Sequence, residues 1–363
     1  MLVRLRHGLA SDELGPLLAL CRELGYSARF LDEGRRLLEL SGRGDRTHRT
    51  RLEDHPHVVE VVDAGDSHEL HGRGAGRPDT IVRVGGACFG GGQAAIAAGP
   101  CSVEDYDRLL RLARGVQECG VTILRGGAYK PRTSPYSFQG LGVVGLEMLA
   151  AVRAETGIAI VTEVLDPRDV ERVAQVADWI QIGTRSATNY PLLVEVGRAG
   201  KPVLLKRGFG ATVREFQLSA EYVLNTGNEQ VVLCERGVRS YDSTTRNLLD
   251  IGAVAHLAEA THLPVIVDPS HAAGRADLVL RLARAGLAAG ADGLIVEVHD
   301  EPANAKSDGQ QAISLEQLRE LTHDAQAVLA LDSRALVPGA GPLKGSQLER
   351  EGTDSITRTE PIQ

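Results

Sequence analysis

Aromatic residues make up only 4% of this 363-residue chain, with a single Trp, so its core must be built from Leu, Val, Ile and Ala. Cysteine is equally sparse. Cys21, Cys88, Cys101, Cys119 and Cys234 form no CxxC pair, which excludes a disulfide framework and reads as a reduced, cytoplasmic protein. No apolar run reaches the roughly 20 residues of a membrane span, and the N-terminus lacks a basic-then-apolar signal pattern. Positive charge is in deficit too, with 40 Lys and Arg against 48 Asp and Glu for a net charge of −8. Such a balance argues against a nucleic-acid surface. Any site for an anion must therefore be made locally, by a few cations focused in a cleft.

What is present is a rhythm. Eight short β-branched runs punctuate residues 94–298, at 95–101, 122–125, 158–163, 179–182, 202–206, 231–236, 264–271 and 294–297. Each is followed by a segment of helix length, and strand–helix repeated eight times predicts an α/β fold, a (β/α)8 TIM barrel. We assign the barrel to residues 94–332. The strand C-termini of such a barrel share one rim, which is where its active site sits.

Residues 1–65 read as a separate small α+β unit. A strand at 2–5 precedes an amphipathic helix opened by Ser11-Asp12-Glu13 and ended near Gly25. Strands near 27–31 and 36–40 turn at Glu33-Gly34, a polar helix spans 47–53, and a strand returns at 57–62. This βαββαβ order is ferredoxin-like. Residues 66–93 read as a linker whose segments 80–83 and 87–89 pair as a barrel-closing hairpin. The tail, 333–363, is expected to be disordered or loosely docked.

The chemistry clusters at the run ends. Arg125-Gly126-Gly127-Ala128-Tyr129-Lys130-Pro131-Arg132-Thr133-Ser134 follows the second run. Its glycines let backbone approach a ligand, and its cations are spaced by Gly and Pro rather than by a helical period. Arg185, Lys206 and Arg236 close the fourth, fifth and sixth runs. Singly, each would be an ordinary ion-pair partner. Together on one rim they repel unless anions fill the space. Cys101, His271 and Glu297 close the first, seventh and eighth runs, neighbours in a closed barrel, and Asp308 follows on the loop after the eighth. A thiolate, an imidazole and two carboxylates make a mixed site tolerant of Mn, Fe, Co or Zn, although a buried Cys is more often inert packing.

These strings, with Ala98-Gly99-Pro100-Cys101-Ser102, Gln181-Ile182-Gly183-Thr184-Arg185, Leu205-Lys206-Arg207-Gly208-Phe209 and Asp268-Pro269-Ser270-His271, resemble 3-deoxy-D-arabino-heptulosonate 7-phosphate (DAHP) synthase over residues 80–332. The N-terminal unit resembles the regulatory domain of that family's type I-beta subgroup. The resemblance implies metal-dependent condensation of phosphoenolpyruvate with erythrose 4-phosphate, the entry to the shikimate pathway. It implies Cys101, His271, Glu297 and Asp308 as ligands of one divalent ion, Mn2+ before Fe2+, Co2+ or Zn2+. Arg125, Lys130, Arg185, Lys206 and Arg236 would hold phosphoenolpyruvate, and Arg132, Thr133 and Ser134 erythrose 4-phosphate, with Lys130 and His271 the catalytic pair. A homotetramer inhibited by Tyr or Phe at residues 1–65 is the family expectation. The nearest alternative is 3-deoxy-D-manno-octulosonate 8-phosphate synthase, acting on arabinose 5-phosphate, but Pro131-Arg132 stands where those enzymes typically carry Ala-Asn. A non-catalytic barrel is the remaining alternative, and the intact ligand and cation sets argue against it.

Overall fold

A computed structural model of the chain describes residues 1–31, 34, 36–41, 46–62, 70–73, 78–132 and 134–337. Glu33 of the expected turn, Thr133, parts of the 66–93 linker and tail residues 338–363 lie outside them.

The N-terminal unit runs β1 (Leu2–Leu5), α1 (Leu14–Glu23), β2 (Ser27–Phe30), β3 (Leu37–Ser41), α2 (Arg46–Glu53), β4 (Val58–Val62). Its sheet order is β2-β3-β1-β4, all neighbours antiparallel, the ferredoxin-like arrangement. The buried face of β1 and the apolar stripe of α1 meet in one small core of Val3, Leu5, Leu14, Leu17, Cys21, Leu38 and Leu52. The unit is tied to the rest of the chain by Arg36, 3% exposed, whose Nη1 pairs with Glu229 Oε1 at 2.6 Å and whose Nη2 donates to the Leu224 carbonyl.

Next comes an antiparallel hairpin, β5 (Val82–Val84) and β6 (Ala87–Phe89). It falls about two residues later on its first arm than the sequence suggested. The barrel strands are β7 (Gln93–Gly99), β8 (Ile123–Arg125), β9 (Ala159–Val164), β10 (Trp179–Ile182), β11 (Val203–Lys206), β12 (Val231–Glu235), β13 (Val265–Val267) and β14 (Gly293–Glu297). All pair in parallel, and β14 closes the ring on β7 from Gly293↔Ala95 to Glu297↔Gly99. The helices around it are α3 (Tyr106–Glu118), α4 (Val143–Thr156), α5 (Val170–Val176), α6 (Tyr190–Arg198), α7 (Val213–Leu224), α8 (Ile251–Ala260), α9 (Pro269–Ala273), α10 (Val279–Ala288) and α11 (Leu315–Ala330). Several start where the sequence supplies a cap. Thr212 with Glu215 and Ser314 with Gln317 form reciprocal capping boxes for α7 and α11.

Each strand is buried on both faces, as parallel sheets require. One face packs on the helices. The other fills the lumen with Ala95, Ala97, Ile123, Val161, Trp179, Leu204, Val232, Ile266 and Ile295. The hairpin plugs the lumen's N-terminal end: Val82, Val84, Ala87 and Phe89 join that cluster, with the Phe89 and Trp179 rings 4.9 Å apart. The two largest fully buried side chains among the described residues are thus spent at this end of the lumen. The segment after Asp332 is not wholly a loose tail. β15 (Ala335–Leu336) pairs with Gln93 and Ala94 of β7. Among the described residues no helix is long and apolar enough to cross a membrane.

Candidate active site

Most of the described residues singled out from the sequence converge at the C-terminal ends of the strands. Gly99 ends β7 at φ +153°, and any Cβ there would come within 2.2 Å of the Arg125 carbonyl. This close approach of β7 to β8 delivers Cys101 beside Arg125. His271 does not lie on an extended strand, as the run 264–271 suggested. Asp268 accepts from the His271 backbone N–H (3.0 Å) and, with Pro269 following, starts the short α9 immediately after β13.

Cys101, His271, Glu297 and Asp308 offer ligand atoms that all lie within 4.8 Å of one another, a spacing that suits a divalent ion held at about 2.0–2.3 Å from each donor. The chemistry of the donors fits as well. Cys101 Sγ lies 3.2 Å from Asp308 Oδ2; burial, and then Glu297, raise its thiol to about 11. Burial holds His271 down to about 4, so its imidazole is neutral with a lone pair to give. Glu297 is fully buried. Its Oε1 lies 3.1 Å from Arg125 Nη2 and 3.2 Å from His271 Nε2, yet accepts no well-directed hydrogen bond. A thiol crowded by two carboxylates and an orphaned carboxylate oxygen would all be relieved by one cation. The support is equally specific: Gln311 Nε2 donates to Glu297 Oε2 (2.7 Å), and His271 Nδ1 faces Asp268 Oδ2 (2.8 Å).

Beside this cluster lies a pocket lined by Lys130, Arg132, Arg185, Lys206, Arg236 and Arg246 against only two carboxylates, Glu163 and Asp308. Lys130 Nζ donates to the Cys101 carbonyl (2.8 Å) and lies 3.0 Å from Cys101 Sγ. Lys206 Nζ pairs with Asp268 Oδ2 at 2.5 Å. Burial lowers the proton affinity of Arg236, and its guanidinium lies 5.0 Å from the Phe209 ring centroid, with Arg185 at 5.2 Å and Arg239 at 5.0 Å from the same ring. Among the described residues the buried Nε of Arg236, with Nε and Nη1 of Arg125, finds no acceptor. Such donors are costly to bury unless an anion completes them. Arg125 is paired with Glu297 at 3.1 Å and does not line the pocket, and Ser134 is exposed on its loop, its Oγ accepting from the Tyr136 N–H (3.3 Å). The 126–142 loop is braced from within: the Lys130 N–H donates to the Gln139 carbonyl (2.9 Å) and Arg132 Nε to the Phe138 carbonyl (3.0 Å).

Four residues of the site carried no role in the sequence reading. Glu163, one residue before the end of β9, lies on the pocket wall. Burial raises its carboxyl against the pull of Lys130 and Lys206, and Gln181 Nε2 donates to it at 3.1 Å. Its position at a run end was the available signal. Asp268 was legible only as part of a string. Gln311 and Arg246 come from irregular segments that no periodicity marks.

The family model described as the DAHP synthetase I family matches residues 79–331. The chain belongs to that family. It is 51% identical, over 74% of its own length and 79% of the relative's, to a phospho-2-dehydro-3-deoxyheptonate aldolase of Thermotoga maritima. The crystal structure of a Thermotoga maritima protein of that name, also called DAHP synthase, superposes with a TM-score of 0.72 at 42% identity, covering 92% of this chain and 98% of that one. A 2-dehydro-3-deoxyphosphooctonate aldolase of Syntrophotalea carbinolica is more distant, at 31% identity over 70% of this chain and 97% of the relative. The family placement agrees with the resemblance seen in the motifs, and the octulosonate alternative recedes.

Proposed function

We propose that this protein is a 3-deoxy-7-phosphoheptulonate synthase, condensing phosphoenolpyruvate with D-erythrose 4-phosphate and water to DAHP and phosphate, the first step of the shikimate pathway. The observation that carries this reading is a pocket of six cations and two carboxylates directly beside the Cys101, His271, Glu297, Asp308 cluster. Two phosphorylated substrates and a carboxylate match that excess, and the cluster suits one divalent ion. Mn2+ is the expected ion, with Fe2+, Co2+ and Zn2+ as alternatives; when bound, it supplies Lewis acidity to the aldehyde oxygen.

The protein's own groups do the rest. Lys130, Lys206, Arg185 and Arg236, with Arg125 behind them, fix the phosphate and carboxylate of phosphoenolpyruvate; Arg132, Thr133 and Ser134 hold erythrose 4-phosphate. Held together, the two molecules react as if intramolecularly. Carbon 3 of phosphoenolpyruvate attacks carbon 1 of the aldehyde, and Lys130 delivers a proton to the new alkoxide. The cationic character left at carbon 2 is quenched by water, and phosphate departs with C–O cleavage. Glu163, a buried carboxylate with raised proton affinity, is placed to take the proton that the water gives up. His271, neutral and turned toward Asp268, acts as a ligand rather than as a proton carrier. We assign the N-terminal unit a regulatory role in a cytoplasmic homotetramer, with Tyr or Phe as effector; deleting residues 1–65 should abolish that inhibition while leaving catalysis.

The test follows loss of phosphoenolpyruvate with purified protein, offering erythrose 4-phosphate or arabinose 5-phosphate, with and without chelator. Turnover with the four-carbon sugar that EDTA stops and Mn2+ restores is the expected result. Turnover only with the five-carbon sugar would overturn the substrate assignment.

A further inference from the structure

The cations of the pocket sit at two depths. Lys130, Lys206 and Arg236 are 8%, 3% and 3% exposed and form its floor. Arg132, Arg185 and Arg246 stand at the more accessible mouth. The floor has its own counter-charges, since Lys206 pairs with Asp268 and Arg125 beneath it with Glu297.

The mouth is arranged differently. Arg246 Nη1 lies 3.2 Å from Asp308 Oδ1 and donates to Gln311 Oε1 at 2.9 Å. Arg132 Nη1 approaches the other oxygen of the same carboxylate at 3.9 Å. One carboxylate is therefore shared by two arginines. Arg185 is close enough to both that, after burial, they are the main charges depressing its affinity for a proton. Asp308 also belongs to the metal cluster, so a bound divalent ion would compete for the only carboxylate the two arginines share. Arg246 is not a casual surface residue. Its backbone N–H donates to the Ala273 carbonyl (3.1 Å), and its stem lies over Gly274, where any Cβ would come within 2.4 Å of Arg246 Cβ.

We propose that Arg246 is a specificity residue for the second substrate, clamping the terminal phosphate of the aldehyde together with Arg132. The inference rests on the function proposed above. Two guanidinium forks flanking one acceptor site match a phosphate dianion in shape and charge. Phosphoenolpyruvate, taken by the deeper floor and Arg185, has no need of them. The clamp would make the enzyme choose a phosphorylated aldehyde over the free sugar.

Arg246→Ala and Arg246→Lys should be compared with wild type at saturating phosphoenolpyruvate and Mn2+, using erythrose 4-phosphate and, at high concentration, unphosphorylated erythrose. With erythrose 4-phosphate, kcat/KM should fall about 10- to 100-fold in Arg246→Ala, the loss of a charged hydrogen bond. The loss should lie in KM for the aldehyde, and Arg246→Lys should recover part of it. Rates with erythrose, the KM for phosphoenolpyruvate and the Mn2+ binding isotherm should stay within about threefold of wild type, well inside the scatter of one lost contact. Calorimetric binding of erythrose 4-phosphate should weaken in step with its KM. Equal losses with both aldehydes, or a matching loss of Mn2+ affinity, would show that Arg246 acts through Asp308 and overturn the proposal. Unchanged kcat/KM with erythrose 4-phosphate would overturn it too. A wild-type enzyme inert toward erythrose 4-phosphate would instead remove the functional reading, and the proposal would fall with it.

Discussion

Replacing Asp268 with Asn tests how the metal cluster is supported. Asp268 is fully buried. Its Oδ2 lies 2.5 Å from Lys206 Nζ and 2.8 Å from His271 Nδ1, while Oδ1 accepts from the His271 backbone N–H at 3.0 Å. Together His271 and Lys206 overcome burial and hold this carboxyl well below its usual range. Asn keeps the Oδ1 acceptor and is as good an N-cap as Asp, so α9 should still form. What changes is the other arm, where an NH2 would face two donors. Lys206 is left as a buried charge without its partner, a change worth about 3–5 kcal/mol. His271 loses the carboxylate charge 2.8 Å from its Nδ1, and loss of such a supporting partner should weaken metal binding about 10- to 100-fold. The assay is a Mn2+ isotherm on chelator-stripped protein, with the urea midpoint measured on the same preparations. A second variant separates the two effects. Adding Lys206→Met to Asp268→Asn should recover much of the stability, because both members of the pair are then gone, but none of the metal affinity. Mn2+ affinity within about twofold of wild type, against the larger loss that removal of such a partner should bring, would refute the reasoning.

Phe89→Ala removes the fully buried ring that plugs the lumen against Trp179 and should cost about 3–5 kcal/mol, read as a lower urea midpoint with metal affinity unchanged. Gly183→Ala would place a Cβ 1.8 Å from Glu163 Oε1; the displaced carboxylate should lower kcat by about 100-fold, and near-normal kcat would show that Glu163 has no part in turnover. Asp292 concerns pH. Burial raises its carboxyl from 3.8 to about 6 although its Oδ2 accepts from the Val265 N–H (3.0 Å), so the folded chain holds this proton more tightly than the unfolded chain. The resulting penalty is absent below pH 3.8 and complete above about pH 6. Asp292→Asn should therefore stabilise the fold at pH 7–8 by about 1–2 kcal/mol, after discounting for partial exposure, and leave it unchanged near pH 3.5. A stability difference that does not vary with pH would rule this out.

The barrel and most of the site were legible because a parallel strand buried on both faces announces itself as a short apolar, β-branched run. Arg125, Lys206, Arg236 and Glu297 could be placed from the ends of such runs. His271 was placed at the right rim, after the seventh strand, but the short helix that carries it went unread, since an Asp cap followed by Pro269 begins a helix that apolarity alone does not reveal. Residues from irregular segments left no periodic signal. Arg246 reaches the mouth only because its backbone bonds to Ala273 and its stem crosses Gly274, contacts that exist only after folding. The pairing of Ala335 and Leu336 with β7 was invisible for a related reason. It depends on Gln93 and Ala94 extending below the ring closed by β14, and two residues are too few to show a pattern.

The distribution of counter-charges explains how an acidic protein sustains a cationic pocket. Arg207, behind the wall, is matched twice, by Glu235 at 2.8 Å and Asp250 at 3.1 Å, and Glu235 Oε1 also accepts from the Gly237 N–H at 2.6 Å. That network braces the two residues on either side of Arg236 without neutralising Arg236 itself. Lys206 and Arg125 are matched once each, by carboxylates that also contact His271. Arg236 rests on the Phe209 ring instead, and an aromatic face stabilises a cation without cancelling its charge. Compensation thus declines from the wall to the pocket. The groups left least neutralised are those facing the space where anionic substrates would bind. Full pairing would have made the fold easier to stabilise and removed the field that recruits substrate. Scaffold and ligand chemistry meet at Asp268, Glu297 and Asp308, where each carboxylate answers both a cation and the candidate metal cluster, as a member of it or through His271.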